Sequence, residues 1–326
     1  MPGRIGKYCV VFNILKHPLG NFSTVRLINN ETGEYLEVLT DFGAGVNDLV
    51  IRNAQNQLVS VIDGYRTEDE LINDHHSKFK GSKLSPFPNR IPAGKYQFNG
   101  IDYQLPINEV GANNNLHAFL HNRPFEILDE ITTADFAKLK LGYNYRATDQ
   151  GYPFCYQLTL TYTFDSDGLE IQTEIENSGE KEIPMADGWH PYFRFDNLDH
   201  VNMKMTPAKR VSSNVGNALN GGHEFDSGQE LKNYELDDCF HVNGADQFKV
   251  ELKDVKNGLA LEIWQESTAG KYKYMQIYTP PNRKTIAIEP VTCEPNAFNT
   301  GNGLIILKPN ERVSMSFGIK NKLLNN

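Results

Sequence analysis

Alternation of apolar and polar residues with a period of two runs through most of this chain, and it constrains the fold more than any single motif. Branched and aromatic side chains recur at every second position over 139–145, 156–162 and 169–175. The same happens over 258–264, 274–278, 285–289 and 313–319. A β-strand sends successive side chains to opposite faces, so this pattern describes antiparallel strands buried on one side and wetted on the other. Tyr96 to Leu105 gives the clearest hairpin. Both arms alternate, and Asn99-Gly100 supplies the positive φ angles that a two-residue connection requires. Asp165-Ser166-Asp167-Gly168 reads as a turn between two of the runs. Helical periodicity is scarce, and no long amphipathic helix parts one strand from the next, which argues against a parallel βαβ sheet. The expected fold class is all-β, a large antiparallel β-sandwich.

A chain of 326 residues can build one such sandwich or two smaller domains. No fixed-period repeat and no extended linker divides it, so a single domain over 1–326 is expected. The polar, Gly- and Asn-rich stretch 212–228 is the best candidate for a mobile loop. With 41 acidic against 32 basic residues the net charge is -9, which disfavours general affinity for nucleic acid or anionic membrane. Small neutral ligands stay open, as does a local basic pocket for a phosphate. Cys9, Cys155, Cys239 and Cys293 are scattered without paired spacing and read as reduced thiols. The patch Val10-Val11-Phe12 is too short for a signal or membrane segment, so a cytoplasmic location is expected. Nothing in the sequence speaks to oligomeric state.

Five stretches could carry chemistry. In Asp187-Gly188-Trp189-His190-Pro191-Tyr192-Phe193 the proline disfavours helix at His190, leaving its imidazole at a strand end or turn, among rings able to cover a ligand. Those aromatics could equally be core. Glu289 closes an apolar strand before a proline-braced loop, where partial burial would raise its pKa toward that of a useful base. A capping, outward-facing glutamate is the alternative. His117 and His121 are four residues apart, but Arg123-Pro124 and the preceding asparagines disfavour the helix that would turn them into a metal pair. One in a cleft and one at its rim is the expectation, with no metal. His75-His76 lies in a polar segment and is expected to meet solvent. Asn89-Arg90 is a rigid donor set for sugar hydroxyls or phosphate, or a structural salt bridge. Asp237-Asp238 precedes a strand, and in extended chain only one of the two can face a given side.

Taken in chain order, Asn89-Arg90, Leu116-His117, the Trp189-His190-Pro191-Tyr192-Phe193 run, Leu236-Asp237-Asp238-Cys239-Phe240 and 289–299 resemble the aldose 1-epimerase family, the galactose mutarotase-like proteins. The His-Pro-Tyr-Phe run and Glu289 followed by Pro295-Asn296-Ala297-Phe298-Asn299 are the most specific parts. The resemblance implies a galactose mutarotase-like supersandwich that interconverts the α and β anomers of a hexose or hexose phosphate. By that similarity Glu289 takes the proton of the anomeric hydroxyl while His190 protonates the ring oxygen. His117 assists at the ring oxygen, and Arg90, Asn89 and Asp237 bind hydroxyls. Opening a hemiacetal moves protons between oxygens, so no cofactor is required. Trp189 or Phe193 would stack on the sugar.

Where many family members carry glycines after the first histidine, this chain has Ala118-Phe119, and 117–125 looks more like the branch that includes hexose-6-phosphate mutarotases. For a phosphorylated ligand, Arg90, Lys83 and Arg123 would be the cations facing it. Two other readings compete: a non-catalytic carbohydrate-binding module on the same sandwich, and a glycoside hydrolase or lyase using Glu289 with Asp237.

Overall fold

The computed structural model describes residues 11–242 and 244–322. Its regular structure is mostly antiparallel β-sheet, as the period-two pattern predicts. The largest sheet has nine, in the order Glu126–Thr132, Phe136–Arg146, Cys155–Asp165, Gly168–Asn177, Arg312–Asn321, Leu259–Glu266, Gln247–Asp254, Asn202–Met205 and Gln229–Glu230. Strand Cys155–Asp165 shows why it forms. Tyr156, Leu158, Leu160, Tyr162 and Phe164 are buried at alternate positions, while the residues between them are polar and more exposed.

A seven-stranded sheet packs on this one. Its path runs Lys209–Ser213, Asp237–His241, Tyr274–Tyr278, Thr285–Val291, Gly188–Trp189 and Lys83–Leu84, with Tyr192–Arg194 also paired to Thr285–Val291. Trp189 joins the two layers. It is fully buried, its ring 6.1 Å from Tyr162 and 5.6 Å from Phe317, both on the larger sheet. Truncating it to alanine would cost about 3–5 kcal/mol. A five-stranded sheet from Phe12–Leu19 to Leu58–Ser60 completes the sandwich, with Phe12 edge-on to Phe164 at 6.0 Å.

The Asn99-Gly100 hairpin forms in the expected register, Phe98 opposite Ile101 and Tyr96 opposite Tyr103, with φ of 50° and 76° at the turn. The stretch 212–228 is tied back rather than loose: Arg210 bonds Glu224 and the Ala218 carbonyl, and Asn217 bonds Asp238. Cys155, Cys239 and Cys293 are free thiols, and Cys9 lies outside the described residues. Among the described residues no helix is long and apolar enough to cross a membrane.

One element was not legible as strand pattern. Helix α1, Glu68–Lys78, starts at Thr67, whose hydroxyl accepts the Glu70 amide at 3.1 Å, while the Glu70 carboxylate accepts the Arg66 amide at 2.9 Å. Thr67-x-x-Glu70 is thus a near-relative of the capping box. The helix ends at Phe79, which adopts the left-handed conformation with φ 48°.

Candidate active site

Three neighbouring strands of the seven-stranded sheet make the floor of a cavity of about 350 Å³. Across them Asp237 faces Tyr278, and Gln276 faces Glu289. Residues directly opposite in an antiparallel pair share a face, and so do residues two apart on one strand. Asp237, Gln276, Tyr278 and Glu289 therefore project together into the cavity. The same period turns Asp238 to the other side, where it is fully buried and accepts Arg210 Nε at 3.1 Å and Asn217 Nδ2 at 2.8 Å. Of the two adjacent acids, Asp237 is the one that faces a ligand.

The run from Trp189 to Phe193 obeys the same alternation. Trp189 and Phe193 enter the core, so neither stacks on a ligand as the resemblance suggested. His190 and Tyr192 line the cavity instead, their rings stacked at 4.9 Å and 23°. Pro191 has no N–H to give a neighbouring strand, and the chain on either side is held by other means. The His190 amide donates to the Ser82 carbonyl at 3.0 Å, and the His190 carbonyl accepts the Gly81 amide at 2.9 Å. These bonds fix where the imidazole stands.

The opposite wall is clamped between Asn89 and His117. The His117 amide donates to the Asn89 carbonyl at 2.9 Å, and the Asn89 amide donates to His117 Nδ1 at 3.0 Å. Because Nδ1 accepts, a neutral His117 carries its proton on Nε2 and is a donor. Asn89, His117 and Ala118 all have positive φ, at 61°, 62° and 54°. Such backbone costs of order 1–3 kcal/mol per residue and persists where surrounding bonds over-determine it. Arg90 is gripped in a fork by Glu109, through Nε at 2.9 and 3.1 Å and Nη2 at 2.8 Å. Among the described residues its Nη1 makes no hydrogen bond and remains for a ligand.

His190 Nε2 stands 3.5 Å from Glu289 Oε1, and both side chains are almost wholly buried. Burial pushes Glu289 well above the usual carboxylate range; the nearby Asp237 adds to this and Arg90 opposes it. Burial also lowers His190 to about 4, and lowers His117 well below an ordinary imidazole. Burial thus disfavours the charged form of each group, biasing the contact toward a neutral acid and a neutral imidazole rather than an ion pair. Asp237 is likewise raised, chiefly by burial, while accepting Gln276 at 2.7 Å and Asn214 at 3.0 Å.

Four sequence expectations about cations and histidines fail here. Lys83 is fully buried and paired with Asp187, beneath the sheet. Arg123 pairs with Asp149 at 2.7 Å and is not part of the cavity wall. His75 does not meet solvent, and His121 is not at a rim: both are buried behind the wall, His75 Nε2 lying 2.7 Å from His121 Nδ1. His76, by contrast, is exposed and lines the opening. Sequence reasoning missed Gln276, Tyr278, Glu109 and Phe79. Polar Gln276 amid the apolar strand Tyr274–Tyr278 was the available signal; for Glu109 there was none. Among the described residues no group of three or more His, Cys, Asp or Glu is placed to hold a metal ion.

A sequence model of the aldose 1-epimerase family matches residues 25–320. The chain is 25% identical to the uncharacterized protein YihR of Escherichia coli over 88% of this chain and 90% of that one. It is 21% identical to galactose mutarotase of Sus scrofa over 69% and 70%. In structure it resembles a galactose mutarotase-like protein from Clostridium acetobutylicum, with a TM-score of 0.81 at 19% identity, covering 96% of this chain and 99% of the other. It also resembles galactose 1-epimerase from Lactobacillus acidophilus, with a TM-score of 0.74 at 17% identity, covering 96% and 99%.

Proposed function

The chain belongs to the aldose 1-epimerase family, a family of isomerases, and we propose that it is a cofactor-independent mutarotase acting on an unphosphorylated hexose. The observation that carries this reading is the meeting of Glu289 and His190, 3.5 Å apart, at one cavity with Arg90, Asp237, Asn89 and His117.

The acid-base pair enters the reaction with one proton. A sugar hydroxyl bonded to Glu289, together with the Arg90 guanidinium, favours the carboxylate and passes that proton to His190. Glu289 then takes the proton of the anomeric hydroxyl while His190 delivers one to the ring oxygen, and the ring opens to the aldehyde. Rotation about the bond between the first two carbons presents the other face, and the reversed transfers close the opposite anomer. Each positioned group is typically worth about 100- to 10,000-fold. His117 Nε2–H hydrogen-bonds the ring oxygen, and Asp237 and Arg90 Nη1 hold hydroxyls. Tyr192 and Tyr278 bound the sugar where Trp189 and Phe193 were expected.

The charges favour a neutral ligand over a phosphate. Arg90 is already forked to Glu109, and Lys78 at the opening pairs with Asp74 at 2.6 Å. Glu109, Asp237 and Glu289 all face the space. Polarimetry of freshly dissolved α-glucose and α-galactose should show faster approach to anomeric equilibrium with the protein than in buffer, and faster than for a hexose 6-phosphate. No acceleration with any sugar of such a panel sinks the reading.

A further inference from the structure

Behind the cavity wall lies a buried chain of polar groups that the reaction does not touch. The Lys80 amide donates to the Tyr65 hydroxyl oxygen at 3.1 Å, the Tyr65 hydroxyl lies 3.0 Å from His75 Nδ1, and His75 Nε2 lies 2.7 Å from His121 Nδ1. Donation from Tyr65 O–H to His75 and from His75 Nε2–H to His121 puts the Tyr65 hydroxyl hydrogen to use, which the reverse direction does not, because the Tyr65 oxygen would then only accept. That assigns each imidazole its neutral tautomer. Burial agrees, lowering His121 to about 4.

These bonds fasten three separate pieces of chain: the segment before α1, the last turn of α1, and the turn Leu120–Asn122. The pieces converge on Phe79. Its ring is edge-on to His121 at 5.0 Å, to His75 at 5.4 Å and to His117 at 4.7 Å. Directly after Phe79, Gly81 and Ser82 bracket the backbone of His190. The near end of the strained turn at His117 and Ala118 is clamped by Asn89, and its far end is held by His121. Apolar side chains would fill this niche at lower desolvation cost than two imidazoles, so packing alone does not account for them.

We propose that His121 and His75 are positioning residues for the mutarotase reaction: through Phe79 and the Leu120–Asn122 turn they set the ring of His117, and through the α1 terminus they set the backbone of His190. The inference rests on the mutarotase reading. Neither residue touches the sugar.

The test compares His121→Leu, which removes the acceptor, with His121→Asn, whose Oδ1 replaces Nδ1. The readouts are kcat and KM for α-glucose mutarotation, a thermal melt, and the His117 ring resonances by ¹H–¹⁵N NMR without sugar. The leucine variant should lose about tenfold in kcat with KM within about twofold and should shift the His117 resonances, because small misplacements of reacting groups are costly. The asparagine variant should recover to within about threefold and leave those resonances in place. Tyr65→Phe, which deletes one hydroxyl, should lower kcat about threefold and carries the test if the leucine variant does not fold. Unchanged kcat in folded His121→Leu or in Tyr65→Phe overturns the inference while leaving the mutarotase reading intact, as does equal impairment of the leucine and asparagine variants. If the wild-type protein accelerates no sugar, the mutarotase reading fails, and unmoved His117 resonances in the leucine variant would end the positioning claim as well.

Discussion

Asp187 and Glu289 are both buried carboxylates whose pKa burial raises, and their segments touch, since the Thr292 amide donates to the Asp187 carbonyl at 2.9 Å. Their surroundings differ in two respects. Asp187 is enclosed by the Lys83 ammonium, itself 4.7 Å above the Trp189 ring, and by the Tyr272 hydroxyl at 2.8 Å. Glu289 has an imidazole at 3.5 Å and an open cavity on its other side. Burial therefore raises a carboxyl's pKa at a structural position as readily as at a reacting one. What separates the two is a partner able to exchange the proton and a space for a ligand to receive it.

The largest effect that would sharpen this contrast is expected from Glu289→Gln, which keeps the shape and removes the proton exchange. Its kcat should fall about 100- to 10,000-fold with an unchanged melting temperature. A residual rate within tenfold of wild type would place Glu289 with Asp187, among the structural acids. Lys83→Met should do the reverse. It leaves Asp187 buried without its cation and should cost roughly 3–5 kcal/mol in urea unfolding, with the rate per folded molecule little altered. Adding Asp187→Leu should return most of that stability. If it does not, the pair is holding something besides itself.

The adjacent acids form a smaller version of the same contrast. Asp237→Asn should raise KM about tenfold, because a hydrogen bond to a charged acceptor is worth roughly 1.5–3 kcal/mol against about 0.5–1.5 for the neutral one that asparagine keeps. Asp238→Asn should leave KM alone and lower stability by about 1–3 kcal/mol, since Arg210, only 4% exposed, loses one of its two charged partners and keeps Glu224. Equal effects of the two substitutions on KM would mean that strand alternation does not decide which acid the sugar meets.

Strand alternation is also why much of this molecule was legible. A period of two is local, so the strands, the Asn99-Gly100 hairpin and the all-β class can be read from neighbouring residues. The adjacency of Asp237 and Asp238 even announced that one faces away, though not which. The positions His190, Glu289, His117, Arg90, Asn89 and Asp237 were picked from local motifs, and the structure gathers them at one cavity. What failed depended on contacts between distant segments. Lys83 looked like a cation available to a phosphate because nothing near it in sequence shows that Asp187 neutralises it. Trp189 and Phe193 looked like sugar platforms because the face on which a strand starts is set by the sheet below, not by the motif. His75 looked solvated because its partners, Tyr65 and His121, are 10 and 46 residues away.

The last test predicts almost no change, and so it discriminates best at the level of single protons. His190 titrates at about 4 in the folded protein and Glu289 well above its ordinary range. His190 therefore gains no further proton as the pH falls from neutrality toward 5.5, so the rate per folded molecule should be flat within about twofold from pH 7 to 5.5. An ordinary imidazole, with a pKa near 6.5, would already be about nine-tenths protonated at the lower value. Stability should not be flat. His75, His121 and His190 are all depressed in the folded state, so they bind protons more weakly than the unfolded chain does. Their contribution is complete above about pH 6.5 and is lost as pH falls toward 4, lowering the melting temperature over the range in which turnover holds steady. A rate that fell tenfold by pH 5.5 while the protein stayed folded would mean that His190 behaves as a solvated imidazole. The desolvated acid-base pair that distinguishes Glu289 from Asp187 would then not exist.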